Sequence, residues 1–236
     1  MKTRAFLVKD IDPTILQRLL GARSLATELS EQELNEYYLD KAPIPTDPTG
    51  LLNLMSHGGG LEKSFNNPLY KEKLQNIDKD ILREWVQELC QNGEIVKIRN
   101  TGSVELDEKW FTPYMAEIHG TLGCLATNGG KNVKDLRELL TEGMEYEIAM
   151  EYDGLKPTKW KTMKISDPHV AMRVKIIEML GSEGPKMADE IEMRLPFSKE
   201  LVDRILHELE SRNVISVGFY KQTDEAEYIL KIDEHR

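Results

Sequence analysis

Lys79-Asp80-Ile81-Leu82-Arg83-Glu84-Trp85-Val86-Gln87-Glu88-Leu89 returns, 120 residues later, as Lys199-Glu200-Leu201-Val202-Asp203-Arg204-Ile205-Leu206-His207-Glu208-Leu209. In both stretches apolar residues stand at i, i+1, i+4, i+5 and i+8, which gathers them on one face of an α-helix. Asp78 and Ser198 precede the two stretches as N-caps, since a short side-chain oxygen can accept from the unpaired N–H groups of a first turn. Asn92-Gly93 and Arg212-Asn213 follow, then the β-prone runs Glu94-Ile95-Val96-Lys97-Ile98 and Val214-Ile215-Ser216-Val217. Polar turn material, Asn100-Thr101-Gly102 or Lys221-Gln222-Thr223-Asp224, leads to a second β-prone stretch, Lys109-Trp110-Phe111 or Glu227-Tyr228-Ile229-Leu230. The repeat predicts a helix running into a hairpin, twice.

Upstream of the second copy, Asp167-Pro168 opens a helix with apolar Val170, Val174, Ile177, Met179 and Leu180, broken at Gly181-Ser182-Glu183-Gly184-Pro185 and followed by a short helix near 186–195. Three helices and a two-stranded wing make the winged-helix plan, a helix-turn-helix variant. The first copy starts likewise at Asp47-Pro48-Thr49-Gly50-Leu51-Leu52 and is cut by Gly58-Gly59-Gly60. The expected fold is mostly α with small β wings (α+β), two winged-helix modules joined by an α/β connector. The divisions are an N-terminal extension at 1–46, module 1 at 47–112, the connector at 113–166 and module 2 at 167–236. The extension holds a strand-like 6–8 and helices near 14–20 and 28–39. The connector holds an apolar run at 115–125, a loop at 127–130, a helix near 133–140 and a strand candidate at 146–150.

The 236 residues are 40% apolar and 31% charged, with 41 acidic side chains against 31 basic ones and a net charge of −10. A chain of this size can bury roughly 70% of its extended surface, enough for a core without staples. Cys90 and Cys124 lack the paired spacing of a disulfide framework or a zinc site, so a reducing cytoplasm is the expected compartment. The N-terminal residues are too polar for a signal peptide, and no run approaches the roughly 18 apolar residues of a membrane span. An excess of acids excludes coating of nucleic acid by charge alone, because such binding neutralises phosphates with Lys and Arg. Any nucleic-acid contact must be local.

The Asp167-Pro168 helix start, Gly184-Pro185, the 201–209 helix and the wing Val217-Gly218-Phe219 facing Glu227-Tyr228 together resemble the winged-helix modules in the C-terminal region of large helicase-related (Lhr-type) ATP-dependent helicases. Gly93-Glu94-Ile95-Val96 followed by Lys109-Trp110 is similar to the same wing, and related tandem modules occur in winged-helix DNA glycosylases. The resemblance covers about half the chain and implies a nucleic-acid-binding accessory region. It does not carry over the motor. A phosphate loop needs Gly-x4-Gly-Lys-Ser/Thr, whereas Gly129-Gly130-Lys131-Asn132 has Leu125 at the first glycine and Asn132 at the hydroxyl. The glycosylases' Gln-x-Gln motif is also missing, so base excision is not implied.

His57, His119, His169, His207 and His235 show no metal-ligand spacing, and neither a metal nor another cofactor is expected. Ser56-His57-Gly58-Gly59-Gly60 is similar to an esterase oxyanion loop, but no Gly-x-Ser-x-Gly elbow supplies the nucleophile, and a glycine helix end explains it better. No catalytic constellation emerges, and the balance is against an enzyme. The repeat helices are poor phosphate grips. Lys199, Arg204 and Arg212 meet Glu200, Asp203, Glu208 and Glu210 for a net of −1, and Lys79 and Arg83 meet Asp78, Asp80, Glu84 and Glu88 for a net of −2. The basic exception runs from 154 to 175, where Lys156, Lys159, Lys161, Lys164, Arg173 and Lys175 face only Asp167, with Trp160 interleaved. Lysines around an aromatic suit phosphate contact with base stacking; the plainer account is a linker tethered by a buried Trp160. Lys221 at the wing tip is a further candidate.

Two functions follow. The first is a non-catalytic protein that contacts DNA or RNA through the 156–175 stretch and the wings, with a helicase or another protein as a possible partner and no membrane. The alternative is a protein–protein adaptor in which acidic winged-helix surfaces face a basic partner.

Overall fold

The computed structural model describes residues 37–38, 44–58, 60–61, 71, 74–100, 109–129, 143–195, 197–220 and 225–233, and its architecture is mixed α+β. Among the described residues the helices are α1 (Pro48–Gly58), α2 (Lys79–Gln91), α3 (Pro113–Thr127), α4 (Pro168–Glu183), α5 (Ala188–Arg194) and α6 (Lys199–Ser211). The strands are β1 (Val96–Asn100), β2 (Lys109–Phe111), β3 (Glu145–Asp153), β4 (Lys156–Lys164), β5 (Lys186–Met187), β6 (Ile215–Gly218) and β7 (Glu227–Leu230).

The repeated stretches are α2 and α6, and the repeat extends to their backbone closures. Leu89 C=O accepts from Glu94 N–H at 2.9 Å, and Leu209 C=O accepts from Val214 N–H at 2.9 Å, the same bond at the same offset. The residue that reverses the chain is left-handed in each, Gly93 at φ +72° and Asn213 at φ +58°, which lets the turning backbone satisfy carbonyls that the helix end leaves open. Asp78 caps α2 by accepting from Asp80 N–H at 2.7 Å, whereas Ser198 stands at the start of α6 without a side-chain cap bond. Burial separates the copies. All five stripe residues of α6 are at most 1% exposed, while Ile81 of α2 is 45% exposed.

Both hairpins form, with Val96 opposite Phe111 and Val217 opposite Tyr228. Their third strands differ. In the second half β5 adds to the later hairpin strand, giving the order β5-β7-β6. In the first half β3 adds to the earlier strand, giving β2-β1-β3-β4. The expected small wing of the first module is here one side of an antiparallel sheet completed by two nine-residue strands. Those strands come from 113–166, so the expected connector is structural on both sides.

α3 shows why. Thr112 and Pro113 open it, the Thr112 side chain accepting from Met115 N–H, and it is then apolar almost all round. Met115, Ala116 and Cys124 pack with Ile98, Phe111 and Tyr146 of the four-stranded sheet. Ile118, Leu122 and Leu125 pack with Met172, Ile176 and the α6 stripe. Helix and sheet meet at Gly120, where an added Cβ would lie 2.5 Å from the Tyr146 ring. α1, α2, Ile95 and Trp110 form a third cluster at the other face of the sheet.

Asp167 caps α4 as expected, accepting from His169 N–H at 2.8 Å. The helix continues past Gly181 and stops at Gly184, φ +80°, against the buried ring of Tyr38. Tyr37 beside it donates to Asp233 Oδ1 at 2.8 Å, so this part of the N-terminal extension packs onto the second half. The predicted elements at 6–8, 14–20 and 133–140, and most of 28–39, lie outside the described residues.

Candidate nucleic-acid interface

Most of the basic stretch read as a linker is the strand β4. The Asp153-Gly154-Leu155-Lys156 turn makes it so, since Gly154 at φ +59° supplies the positive φ that a two-residue hairpin loop needs at its first position. β4 then pairs with β3 along its length and lies last in the sheet, with no partner strand on its outer edge among the described residues. Ala149 faces Trp160, Glu151 faces Lys159 and Tyr152 faces Pro157, which leaves Met150 and Thr158 as bulged residues, one on each strand. Pro157 and the lysines are edge chemistry: one lacks an N–H and the others repel a second strand of like kind.

Strand alternation distributes the predicted residues. Lys159 and Lys161 share the face of Met163, which packs toward α3, while Trp160, Thr162 and Lys164 share the opposite face. Lys156, Lys161 and Lys164 are exposed, with no ion pair among the described residues. Lys159 Nζ donates to Glu151 Oε1 at 2.7 Å in a pair open to water on both sides, and that bond holds its ammonium pKa above the ordinary lysine value.

Trp160 is half-buried, and it is not an empty ring. The Arg99 guanidinium lies over it at 4.1 Å from the ring centre, and Arg99 Nε donates to Glu147 Oε2 at 2.5 Å. Sequence reasoning missed Arg99 and Glu147. They stand in one row with Thr162 across β1, β3 and β4, a register that no local pattern in the sequence reveals. Further along the same face Lys97 Nζ sits 5.0 Å over Trp110, which stacks on Tyr152, and there α1 and α2 close the surface.

Arg173 and Lys175, expected in the same patch, do not join it. Helical rather than strand periodicity turns them inward from α4. Arg173 Nη1 donates to Glu208 Oε1 of α6 at 2.6 Å. Lys175, 13% exposed, donates to both oxygens of Glu178 at 2.9 and 3.0 Å and lies 3.5 Å from His119 Nε2. Both are structural ties. Lys221 lies outside the described residues.

α6, which would serve as a reading helix, is neutralised by its own surroundings. Lys199 pairs with Asp189 at 2.9 Å and Glu192 at 3.7 Å, its pKa raised by the Asp189 hydrogen bond and charge, and Arg212 pairs with Glu208 at 2.8 Å. Arg204 is engaged as well.

Among the described residues the cysteines and His119 are committed to structure. Burial pushes the Cys90 and Cys124 thiols up to about 11, so both are protonated and weakly nucleophilic near neutrality. His119 stacks on Phe111 at 4.3 Å and bonds Glu178 at 3.2 Å. Among the described residues no group of three His, Cys, Asp or Glu is placed to hold a metal ion, and no helix is long and apolar enough to cross a membrane.

No protein-family model, curated protein or solved structure matches the chain.

Proposed function

We propose that this is a non-catalytic nucleic-acid-contacting protein that holds a sugar–phosphate backbone along the β4 edge, on a scaffold of winged-helix type. The order helix, short strand, helix, helix, hairpin over α4 to β7 supports a winged helix in the second half. The 120-residue repeat supports a remodelled module in the first half, its hairpin widened by β3 and β4. On the same footing the chain is an accessory module of the kind found in Lhr-type helicases, working with a motor carried by another protein.

One observation carries the functional reading: Lys156, Lys161 and Lys164 stand exposed along a single open edge with no ion pair among the described residues, and Lys159 is paired with a solvent-exposed acid that a phosphate can replace. The test is an anisotropy titration of a labelled 15-nucleotide oligonucleotide at several salt concentrations, on wild type and on Lys156→Glu/Lys161→Glu/Lys164→Glu. Three or four phosphate contacts give a log–log salt slope of about −2 to −3, hence a loss of roughly 16- to 60-fold between 50 and 200 mM salt. The triple variant abolishes binding. Binding that is absent in both proteins, or equal in both, sinks the proposal and leaves the lysines as guards of a sheet edge.

α6 favours a second reading, that of an adaptor. Its outward Glu200 and Asp203 are exposed while its cations are engaged, a surface matched to a basic protein. Under that reading Glu200→Lys/Asp203→Lys releases a stoichiometric partner from nuclease-treated complexes without changing oligonucleotide affinity.

A further inference from the structure

We infer that Arg99, laid over Trp160 and held by Glu147, is a stacking platform for an unpaired base, so the ligand class of the β4 edge is single-stranded nucleic acid rather than duplex; this rests on the nucleic-acid reading above. A guanidinium is planar, weakly hydrated and able to stack on π-faces, and unpaired bases are commonly received on such planes as well as on aromatic rings. Arg99 is prepared for that role. The Trp160 ring supports the guanidinium from one side at 4.1 Å, and the Glu147 carboxylate fixes its Nε at 2.5 Å. The Arg99 side chain remains 28% exposed.

Phosphate contacts lie at the right place. Lys164 shares the platform's face of β4, two residues beyond Thr162 in the Arg99 row, which is roughly 7 Å along the strand. A nucleotide stacked on Arg99 can therefore give its phosphate to Lys164 on the same face, and the backbone can cross the open edge to Lys161 on the other. A duplex cannot use this arrangement, because its bases are already stacked and it offers only groove edges and phosphates. The helix that would enter a groove, α6, carries a net charge of −2, Lys199 and Arg204 against Glu200, Asp203, Glu208 and Glu210, and has its cations engaged. Two separate surfaces thus favour the same ligand.

Three labelled probes test this on the full chain: 15-nucleotide oligothymidylate, an abasic 15-mer with the same phosphates, and a 15-base-pair duplex. Wild type is expected to bind oligothymidylate roughly tenfold tighter than the abasic strand, as one stacked base allows, and to bind the duplex no better than the abasic strand. Arg99→Lys keeps the charge and loses the plane, so it erases the preference for bases while abasic affinity stays within about twofold. Glu147→Gln frees the guanidinium and removes a negative charge, so abasic binding tightens while the preference shrinks, a pattern that misfolding cannot produce. Equal affinity of wild type for oligothymidylate and abasic strand overturns the platform but leaves the lysine edge standing, as does duplex binding equal to oligothymidylate. No binding of any probe by wild type overturns both.

Discussion

Replacing Glu178 by leucine removes a buried polar cluster that braces α4 and joins it to α3. Its carboxylate is 4% exposed, receives Lys175 Nζ at 2.9 and 3.0 Å from its own helix α4, and meets His119 Nε2 of α3 at 3.2 Å. Leucine fills similar volume at a buried position, so lost packing is a small part of the effect. The main part is an ammonium, 13% exposed, left without its counter-charge. Breaking a buried pair from one side costs about 3–5 kcal/mol. The lysine stem can swing its head toward water, which brings the expected loss to about 2–3 kcal/mol. For a chain of this length that lowers the melting temperature by roughly 5–10 °C. Lys175→Met/Glu178→Leu removes both charges and should recover most of the loss, giving a coupling of about 2 kcal/mol in a double-mutant cycle read by urea unfolding. A Glu178→Leu protein within about 0.5 kcal/mol of wild type would refute the tie. A double variant no better than the single one would show that packing, not charge, was lost.

Gly120→Val drives a branched side chain into the space of the Tyr146 ring, where even a Cβ lies 2.5 Å from the ring; the expected destabilisation is about 2 kcal/mol with altered near-ultraviolet dichroism, and a wild-type melting curve would contradict the close approach. Cys90 and Cys124 should resist a thiol reagent at pH 8 until denaturant is added, because burial pushes both pKa values up to about 11. Folded values above the unfolded value of 9.0 mean that their contribution is complete below pH 9 and is lost as pH rises toward 11. The urea midpoint should therefore fall across that window, and fall less in Cys90→Ala/Cys124→Ala; equal slopes would contradict the thiol assignment.

The second half could be read from local rules because local rules build it. Asp167 caps, Pro168 starts, the α6 stripe is apolar at helical spacing, and Val217 faces Tyr228 across a hairpin closed by a few polar residues. The first half could not, since its sheet depends on β3 finding β1 across an intervening helix, a long-range pairing without a periodic signature. β4 was hidden by composition: Lys-Pro-Thr-Lys-Trp-Lys-Thr-Met-Lys has the polarity of a linker, and only the Asp153-Gly154 turn and the Trp160/Thr162 and Lys161/Met163 alternation mark it as an edge strand.

The site was half legible for a related reason: charge density along a chain says where cations are, and their partners come from elsewhere. Lys161 and Arg173 look alike in sequence, yet one is open to water while the other is bound to Glu208, 35 residues on. Arg99 precedes Trp160 by 61 residues and still lies on its ring. Under the proposed function, the net charge of −10 acts in favour of the β4 edge rather than against it. Under that reading an acidic surface repels a phosphate backbone over most approaches, and α6 repels it by its own −2, so a polyanion can settle only where cations lack acids. Neutralising acids elsewhere, at Glu200 and Asp203 for instance, should therefore raise duplex binding more than single-strand binding, because it opens the helix approach without adding a stacking plane.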